Sequence, residues 1–403
     1  MELSRRSQLR DELRTHGARW QQLAAEHGTP LLVLDPHRVA GQYSALRAQL
    51  PGFRLHYAVK ALPHRAVLAV LAACGSNFDV ATNAEVDLVE SLGVSMDRCI
   101  HTHPIKKPGD IDHAYRRGVR TFVVDNPVEA QKFAGAAPDV EILVRLAFPN
   151  PSAKCDLSAK FGADPAEAEL LVKHVLAAGV RFAGFSFHVG SQGSSVQPYR
   201  DALRATLELT RHVERSLDVR VSTVDIGGGF PVSYREPMPA IETIAGLVEE
   251  VLGPDRADFR LLAEPGRYLV ADCMTLLTSV VGSATRAGQS WHYLDDGLYG
   301  SYSNILTEDV HPPILALSEL VGDVDIDEGQ PGLEPVTLAG PTCDSVDVIA
   351  RDYPMPQLDV GDIVVSPLMG AYTSVTSSRF NGIPETPVVI AGGARSVHRD
   401  VYP

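Results

Sequence analysis

The chain has 403 residues, 45% hydrophobic and 21% charged, enough apolar material to bury a large core and to divide into two domains. A formal net charge of -14 excludes sequence-independent nucleic-acid binding, which needs Lys and Arg to neutralise phosphates, and leaves a small cationic substrate open. No apolar run reaches the length of a membrane span and "SRRSQLRDELR" lacks the hydrophobic stretch of a secretory signal, so a cytoplasmic protein with no membrane partner is expected.

The first 28 residues predict a polar amphipathic helix ending at Gly28, and "PLLVLD" then predicts a short apolar strand. An alternation follows. Strand-like runs occur at "RLHYAV", "NFDVA", "CIHT", "TFVV", "EILVRL", "FAGFSFHV", "STVDIG" and "FRLLAE". Helical patterns separate them, among them "HRAVLAVLAAC", "NAEVDLVESLG", "NPVEAQKFAG", "PAEAELLVKHVLAAG", "QPYRDALRATLELTRHVERS" and "AIETIAGLVEEVLG". Eight strands alternating with helices over about 230 residues is the arithmetic of a (β/α)8 TIM-like barrel, with a doubly wound open sheet as the competing architecture.

Beyond Gly266 the alternation stops. Runs such as "YLVADCMTLLTSVVG", "WHYLDDG", "PVTLAG", "DIVVSP" and "PETPVVIAGG" predict a mainly antiparallel β domain, and the acidic, Gly- and Pro-rich "DVDIDEGQPGLEP" an exposed loop. The expected division is 36–268 for the barrel, and 1–35 plus 269–403 for the β-rich domain.

Polar residues favour the barrel. Lys60, Asp79, Arg145, His188, Gly227 to Gly229 and Glu264 each fall at or just beyond a strand's C-terminal end, the face where such barrels gather catalytic groups. One polar residue after a strand means little, because loops follow strands. The set is harder to dismiss. "DIGGGFP" puts three glycines after the seventh strand, where backbone amides can approach an anion without a Cβ in the way. "AEPGRYL" after the eighth adds Gly266 and Arg267, and loops after strands seven and eight are a common phosphate site. Glu264 beside such a cradle would repel a phosphate, so it has to face a cation; a pyridinium nitrogen on a phosphate-bearing cofactor fits, and such a ring is an electron sink. In "FSFHVGSQ", His188 can stack on that ring and Ser191 can donate to the phosphate. Lys60, closing the first barrel strand, can form a Schiff base with a cofactor aldehyde. Together these residues point to pyridoxal 5'-phosphate.

The chain also resembles a known family, the fold-type III pyridoxal-phosphate decarboxylases acting on ornithine, lysine, arginine or diaminopimelate, and within it the ornithine decarboxylase-like branch. "YAVKA", "FDVATNAE", "RLAFPNPSAKCDLSAKFGA", "FHVGSQ", "DIGGGFP", "AEPGRYLVA", "DDGLYGSY", "GPTCDSVD" and "GAYTSVTSSRFNG" carry the resemblance over nearly the whole length. It implies an alanine racemase-like arrangement of barrel and β domain. Lys60 matches the Schiff-base lysine, His188 the ring-stacking histidine and Glu264 the pyridinium partner. Phosphate binding falls to Ser191, Gly227, Gly228, Gly229, Gly266, Arg267 and Tyr372, and cofactor support to Asp79, Glu85 and Arg145. It further implies a homodimer with shared sites, in which Cys343 and Asp344 reach the other subunit's cofactor, the thiol as proton donor and the carboxylate as substrate ligand. Tyr299, Glu308 and Phe380 complete the substrate-binding set.

The resemblance implies decarboxylation of a basic amino acid, ornithine or lysine foremost and arginine after them, to an amine and carbon dioxide. Asp344 follows Cys343 where diaminopimelate decarboxylases carry glutamate, which leaves diaminopimelate as runner-up. Thr307 and Glu308 stand where animal-type ornithine decarboxylases have tyrosine and aspartate, a departure that lengthens the carboxylate arm and opens space. An alanine-racemase-like enzyme would set an arginine against the pyridine nitrogen, and a non-catalytic regulatory homologue would have lost the lysine, cysteine or phosphate ligands. Small single-domain cofactor carriers lack the second domain. Five cysteines (Cys74, Cys99, Cys155, Cys273, Cys343), an odd and widely spaced number without a CxxC pair, predict reduced thiols, and "HTH" at 101 to 103 lacks a third metal ligand.

Overall fold

The computed structural model describes residues 3–321 and 332–391. Most of the acidic stretch expected to loop, and the end of "PETPVVIAGG", lie outside them. The chain forms two compact units. One comprises Val39–Val232 and Met238–Leu269, and the other the residues up to Arg38, Ser233–Pro237, and those from Val270 on.

The first unit is a closed barrel of eight parallel strands: β1 (Arg54–Ala58), β2 (Asn77–Val80), β3 (Cys99–His101), β4 (Thr121–Val124), β5 (Glu141–Leu146), β6 (Arg181–Phe187), β7 (Thr223–Asp225) and β8 (Arg260–Ala263). Every run read as a barrel strand is one. β8 closes onto β1, with Leu262 opposite Arg54 and Ala263 opposite Leu55. Strands such as "TFVV" read as continuous apolar runs because both faces are covered, one by helices and one by the barrel interior. Ile100, Val123, Leu143, Ala183 and Leu262 pack together from five strands in the barrel core.

The connecting helices follow their local chemistry. Thr82 caps Asn83–Glu90 by accepting from the Glu85 amide at 3.3 Å. Gln197–Leu217 buries Tyr199, Leu203, Thr206, Leu207, Thr210 and Val213, a stripe at three- and four-residue spacing. The helix expected over 126–135 stops at Gln131. Phe133 turns into the core instead, and Gly135 reverses the chain at φ 82°.

The second unit carries a mixed sheet. Its strands are Leu31–Leu34, β9 (Met274–Arg286), β10 (Gln289–Leu294), β11 (Leu315–Ala316), β12 (Glu334–Ala339), β13 (Val348–Met355), β14 (Ile363–Ser366) and β15 (Val388–Ile390). The path runs β11, β14, β9, β10, β12, β13, and Leu31–Leu34 pairs with β9 and β15. Most pairings are antiparallel; β10 with β12 and Leu31–Leu34 with β15 are parallel. The helix Leu3–His27 buries Leu13, Trp20 and Leu23 against Leu31, Leu277 and Val365, so the polar N-terminal segment is held by one apolar stripe.

Candidate active site

β1 ends in a single turn of 3-10 helix, Val59–Ala61, which takes Lys60 out of the buried ladder. The Lys60 side chain is 46% exposed, with Nζ 3.8 Å from Oδ2 of Asp79, which is almost wholly buried at the end of β2. Asp79 Oδ1 accepts a hydrogen bond from Thr102 Oγ1, at the start of the loop after β3. One carboxylate is thereby fixed between a hydroxyl and an amine. His188 follows β6, and its Nδ1 accepts from the Gly190 amide at 3.0 Å, which leaves the proton on Nε2. Burial, then the nearby Arg145 and Lys60 cations, hold the imidazole well below its usual pKa, so the ring is neutral. Arg145, on β5, lays its guanidinium over the Phe161 ring at 5.5 Å.

A pair of acids lies buried where β7 and β8 end. Asp225 closes β7, fully buried, and its Oδ1 accepts from the Gly227 amide at 2.9 Å. Glu264 follows β8, and its own amide donates to the Gly227 carbonyl at 2.7 Å. Burial pushes both carboxyls up. Asp225 and then Asp79 raise Glu264 further, while Lys60 and Arg145 oppose this only in part. Negative charge outweighs positive in a desolvated place, and the Glu264 carboxyl therefore holds its proton until a cationic partner arrives.

The three glycines are demanded by close packing between loops. Gly227 and Gly229 adopt φ 66° and 91°; a Cβ on Gly227 would collide with the carbonyl oxygen of Phe187, which ends β6, and one on Gly229 with that of Gly190 in the loop beyond. A Cβ on Gly228 would meet the Glu264 carbonyl and sit 3.3 Å from His188 Nε2. The loops after β6, β7 and β8 therefore close on one point. Side chains hold them there: Tyr199 Oη donates to the Gly228 carbonyl at 2.7 Å, Gln192 exchanges two 2.8 Å bonds with the Val232 backbone, and Asn150 Nδ2 donates to the Val189 carbonyl at 2.6 Å. Arg267, buried, follows Gly266 and donates from Nε to Ser191 Oγ at 3.4 Å.

Glu85 takes a local part. Its Oε2 accepts from the Ala81 amide at 2.5 Å at the N-terminus of the helix Thr82 caps, and burial pushes its carboxyl up to about 7, with Asp79 adding to the rise. The "HTH" histidines do not share one strand. β3 ends at His101, which is buried against Phe122 with ring centroids 5.9 Å apart, while His103 is in the loop, edge-on to Phe161.

In the second unit, Tyr299 Oη donates to Asp344 Oδ2 at 2.5 Å, and this bond holds the Asp344 carboxyl below its ordinary pKa, so it is ionised. Tyr299 stacks on Phe380 with centroids 4.6 Å apart. Cys343 is exposed and donates from both its amide and its thiol to Asn381 Oδ1, at 3.1 and 3.3 Å. Four of the sequence-derived residues, Tyr299, Cys343, Asp344 and Phe380, thus form one group. Glu308 ends the short helix Ser303–Glu308, and Tyr372 stands at φ 55° in the turn after Gly370.

Sequence reasoning passed over Asp225, Thr102 and Asn381. Asp225 carried a signal, being the acid before the glycine run, whereas Thr102 and Asn381 are recognisable only by the atoms they touch.

The barrel residues fit pyridoxal phosphate. A strand-end amine suits its aldehyde, a point of three converging loops with Ser191 and Arg267 suits its phosphate, and a buried acid short of positive charge suits its ring nitrogen. Comparison with known proteins agrees. Residues 37–271 match the family model described as the pyridoxal-binding domain of pyridoxal-dependent decarboxylases. The chain is 37% identical to a lysine/ornithine decarboxylase of Selenomonas ruminantium, covering 91% of each. Among solved structures, the lysine/ornithine decarboxylase of Vibrio vulnificus in complex with putrescine superposes with a TM-score of 0.85 at 40% identity, over 93% of this chain and 98% of that one. The arginine decarboxylase of Paramecium bursaria Chlorella virus gives the same TM-score at 29% identity, over 93% and 99%. With barrel, cofactor site and relatives in agreement, the chain belongs to the ornithine decarboxylase-like, fold-type III family of pyridoxal-phosphate-dependent decarboxylases.

Proposed function

We propose that the protein removes the carboxyl group of a basic amino acid, ornithine or lysine before arginine, releasing carbon dioxide and the corresponding amine. The observation that carries this reading is Asp344, an ionised carboxylate one residue from the exposed Cys343 thiol, which attracts a cationic side chain rather than a second carboxylate. The names of the Selenomonas, Vibrio and Chlorella virus relatives support it. Diaminopimelate would need a cation for its distal carboxylate.

Pyridoxal phosphate, when bound, supplies the sink for the electron pair left as carbon dioxide departs. Lys60 provides the amine that tethers the aldehyde, and Asp79 balances the charge on that amine. Glu264 gives its proton to the ring nitrogen and keeps it there as the counter-ion. His188 presents an uncharged ring, so it does not compete with Glu264 for that charge. Ser191, Arg267, Gly266, the 227–229 amides and Tyr372 hold the phosphate, while Glu85 and Arg145 support the loops and charge around it. Cys343 donates a proton to the substrate Cα, a step worth roughly two to four orders of magnitude in rate. Asp344 receives the distal cation, with Tyr299, Phe380 and Glu308 around it.

Cys343, Asp344, Tyr299 and Phe380 serve the cofactor of a second copy in a homodimer. The exposure of Cys343 and Phe380 supports this, and the odd, widely spaced set of five cysteines supports a reducing, cytoplasmic setting. Carbon dioxide release from ornithine, lysine, arginine, diaminopimelate and their D-isomers tests the substrate reading. Release highest from ornithine or lysine is expected; preference for diaminopimelate would overturn it.

A further inference from the structure

Asn381 stands where two independent demands meet. The first is made by the backbone. Its φ is 57° and its ψ 12°, a left-handed conformation between Phe380 and Gly382 that asparagine, aspartate and glycine tolerate and most other side chains do not. The second is made by Cys343, 38 positions earlier in the chain: one oxygen, Asn381 Oδ1, accepts both the Cys343 amide at 3.1 Å and its thiol at 3.3 Å. Glycine would meet the first demand and supply no acceptor. Aspartate would meet it and set a negative charge against the sulfur. Of the three residues the backbone tolerates, asparagine alone offers a neutral acceptor.

We propose that Asn381 is a positioning residue for Cys343: its amide oxygen fixes the sulfur and keeps the hydrogen on it, so that the thiol still carries its proton when one is required. The inference rests on the reading of Cys343 as proton donor and extends it to the group that prepares the donor. A neutral acceptor stabilises S–H over the thiolate, since the thiolate has no hydrogen to share and would face the partial negative charge of the oxygen. The same oxygen also accepts the Cys343 amide, so the sulfur and its own backbone are tied to one acceptor. Asn381 need not touch substrate or cofactor to do this.

The test is the rate at which iodoacetamide alkylates Cys343 in the holoenzyme at pH 7.5, followed by peptide-resolved mass spectrometry because Cys74 and Cys155 are also partly accessible. Only the thiolate reacts. Asn381→Gly keeps the backbone conformation and removes the acceptor, and alkylation should quicken about two- to tenfold. Asn381→Asp keeps shape and backbone and adds a charge, and alkylation should slow about tenfold or more. A loop that had merely loosened would quicken in both variants. Opposite displacement supports the proposal, and any other pattern overturns it. Should Asn381→Gly fail to fold, the near-isosteric Asn381→Asp decides alone, and an unchanged or faster rate overturns the proposal. Turnover of Cys343→Ala separates this from the underlying reading: full activity there removes the proton-donor role whatever Asn381 does, and lost activity without the opposite displacement removes only the role of Asn381.

Discussion

The barrel mouth and the Cys343 group bring ionisable side chains together under opposite conditions. In the barrel, Asp79, Asp225 and Glu264 are buried, and burial drives the Asp225 and Glu264 carboxyls up until a cation joins them. In the second unit, Asp344 is partly exposed, and the Tyr299 phenol, then the Val346 amide, hold its carboxyl down. Desolvation makes the first set depend on a bound partner; the second is already charged and suits a ligand that arrives and leaves. A resident cofactor in the one and an exchanging substrate in the other is the division this predicts.

The largest effect tests the resident side. Lys60→Ala should lower kcat by about three orders of magnitude or more, as loss of a covalent tether does. Borohydride treatment of the parent protein should fix the cofactor to the Lys60 peptide alone, as read by mass. Label elsewhere would break the assignment of the barrel mouth.

On the exchanging side, Asp344→Ala should cut kcat/KM for the best basic substrate by about two orders of magnitude, because the distal cation loses its counter-charge. Tyr299→Phe removes only the phenol that holds Asp344, so a loss of about tenfold is expected. Steady-state kinetics on both variants rank the two effects, and a larger loss in Tyr299→Phe would reverse the roles.

Burial in the barrel also has a pH signature. Glu85 sits near 7 in the folded protein and near its ordinary 4.5 when unfolded, a raised carboxyl. Its contribution to stability is fully present below about 4.5 and is lost as the pH rises through 7. In cofactor-free protein, urea unfolding at pH 5 and pH 8 should show Glu85→Gln gaining on the parent at the higher pH, by at most about 3 kcal/mol. Equal slopes for the two proteins would show that burial does not penalise this charge.

The smallest change is the most specific. Glu308→Asp shortens one carboxylate arm by a methylene and should alter the relative kcat/KM of substrates differing by a methylene by about tenfold. An unchanged ranking would take Glu308 out of substrate selection.

How much of this was legible in the sequence depends on what carried each signal. The eight barrel strands could be read because each is a short apolar run bounded by turn residues, and burial on both faces leaves little else for such a run to be. Lys60, Asp79, Arg145, His188 and Glu264 could be picked out because a polar residue at the end of an apolar run is conspicuous in one dimension. The helix expected over 126–135 ends at Gln131, and the chain tightens into three-residue turns that carry the buried Phe133, a change of winding that apolar spacing alone does not signal.

By itself, the sequence determined the elements, the chemical types available at each strand end, and a family resemblance strong enough to name the cofactor. Only the tertiary structure decided that Thr102 donates to Asp79, that Asp225 shares its burial with Glu264, that Tyr299 holds Asp344, and that Asn381 accepts from Cys343. Nothing in chain order joins these partners, which lie 23 to 45 positions apart. A hydrogen bond needs two atoms within about 3 Å, and chain separation carries no information on which distant residues meet that condition until the backbone has closed.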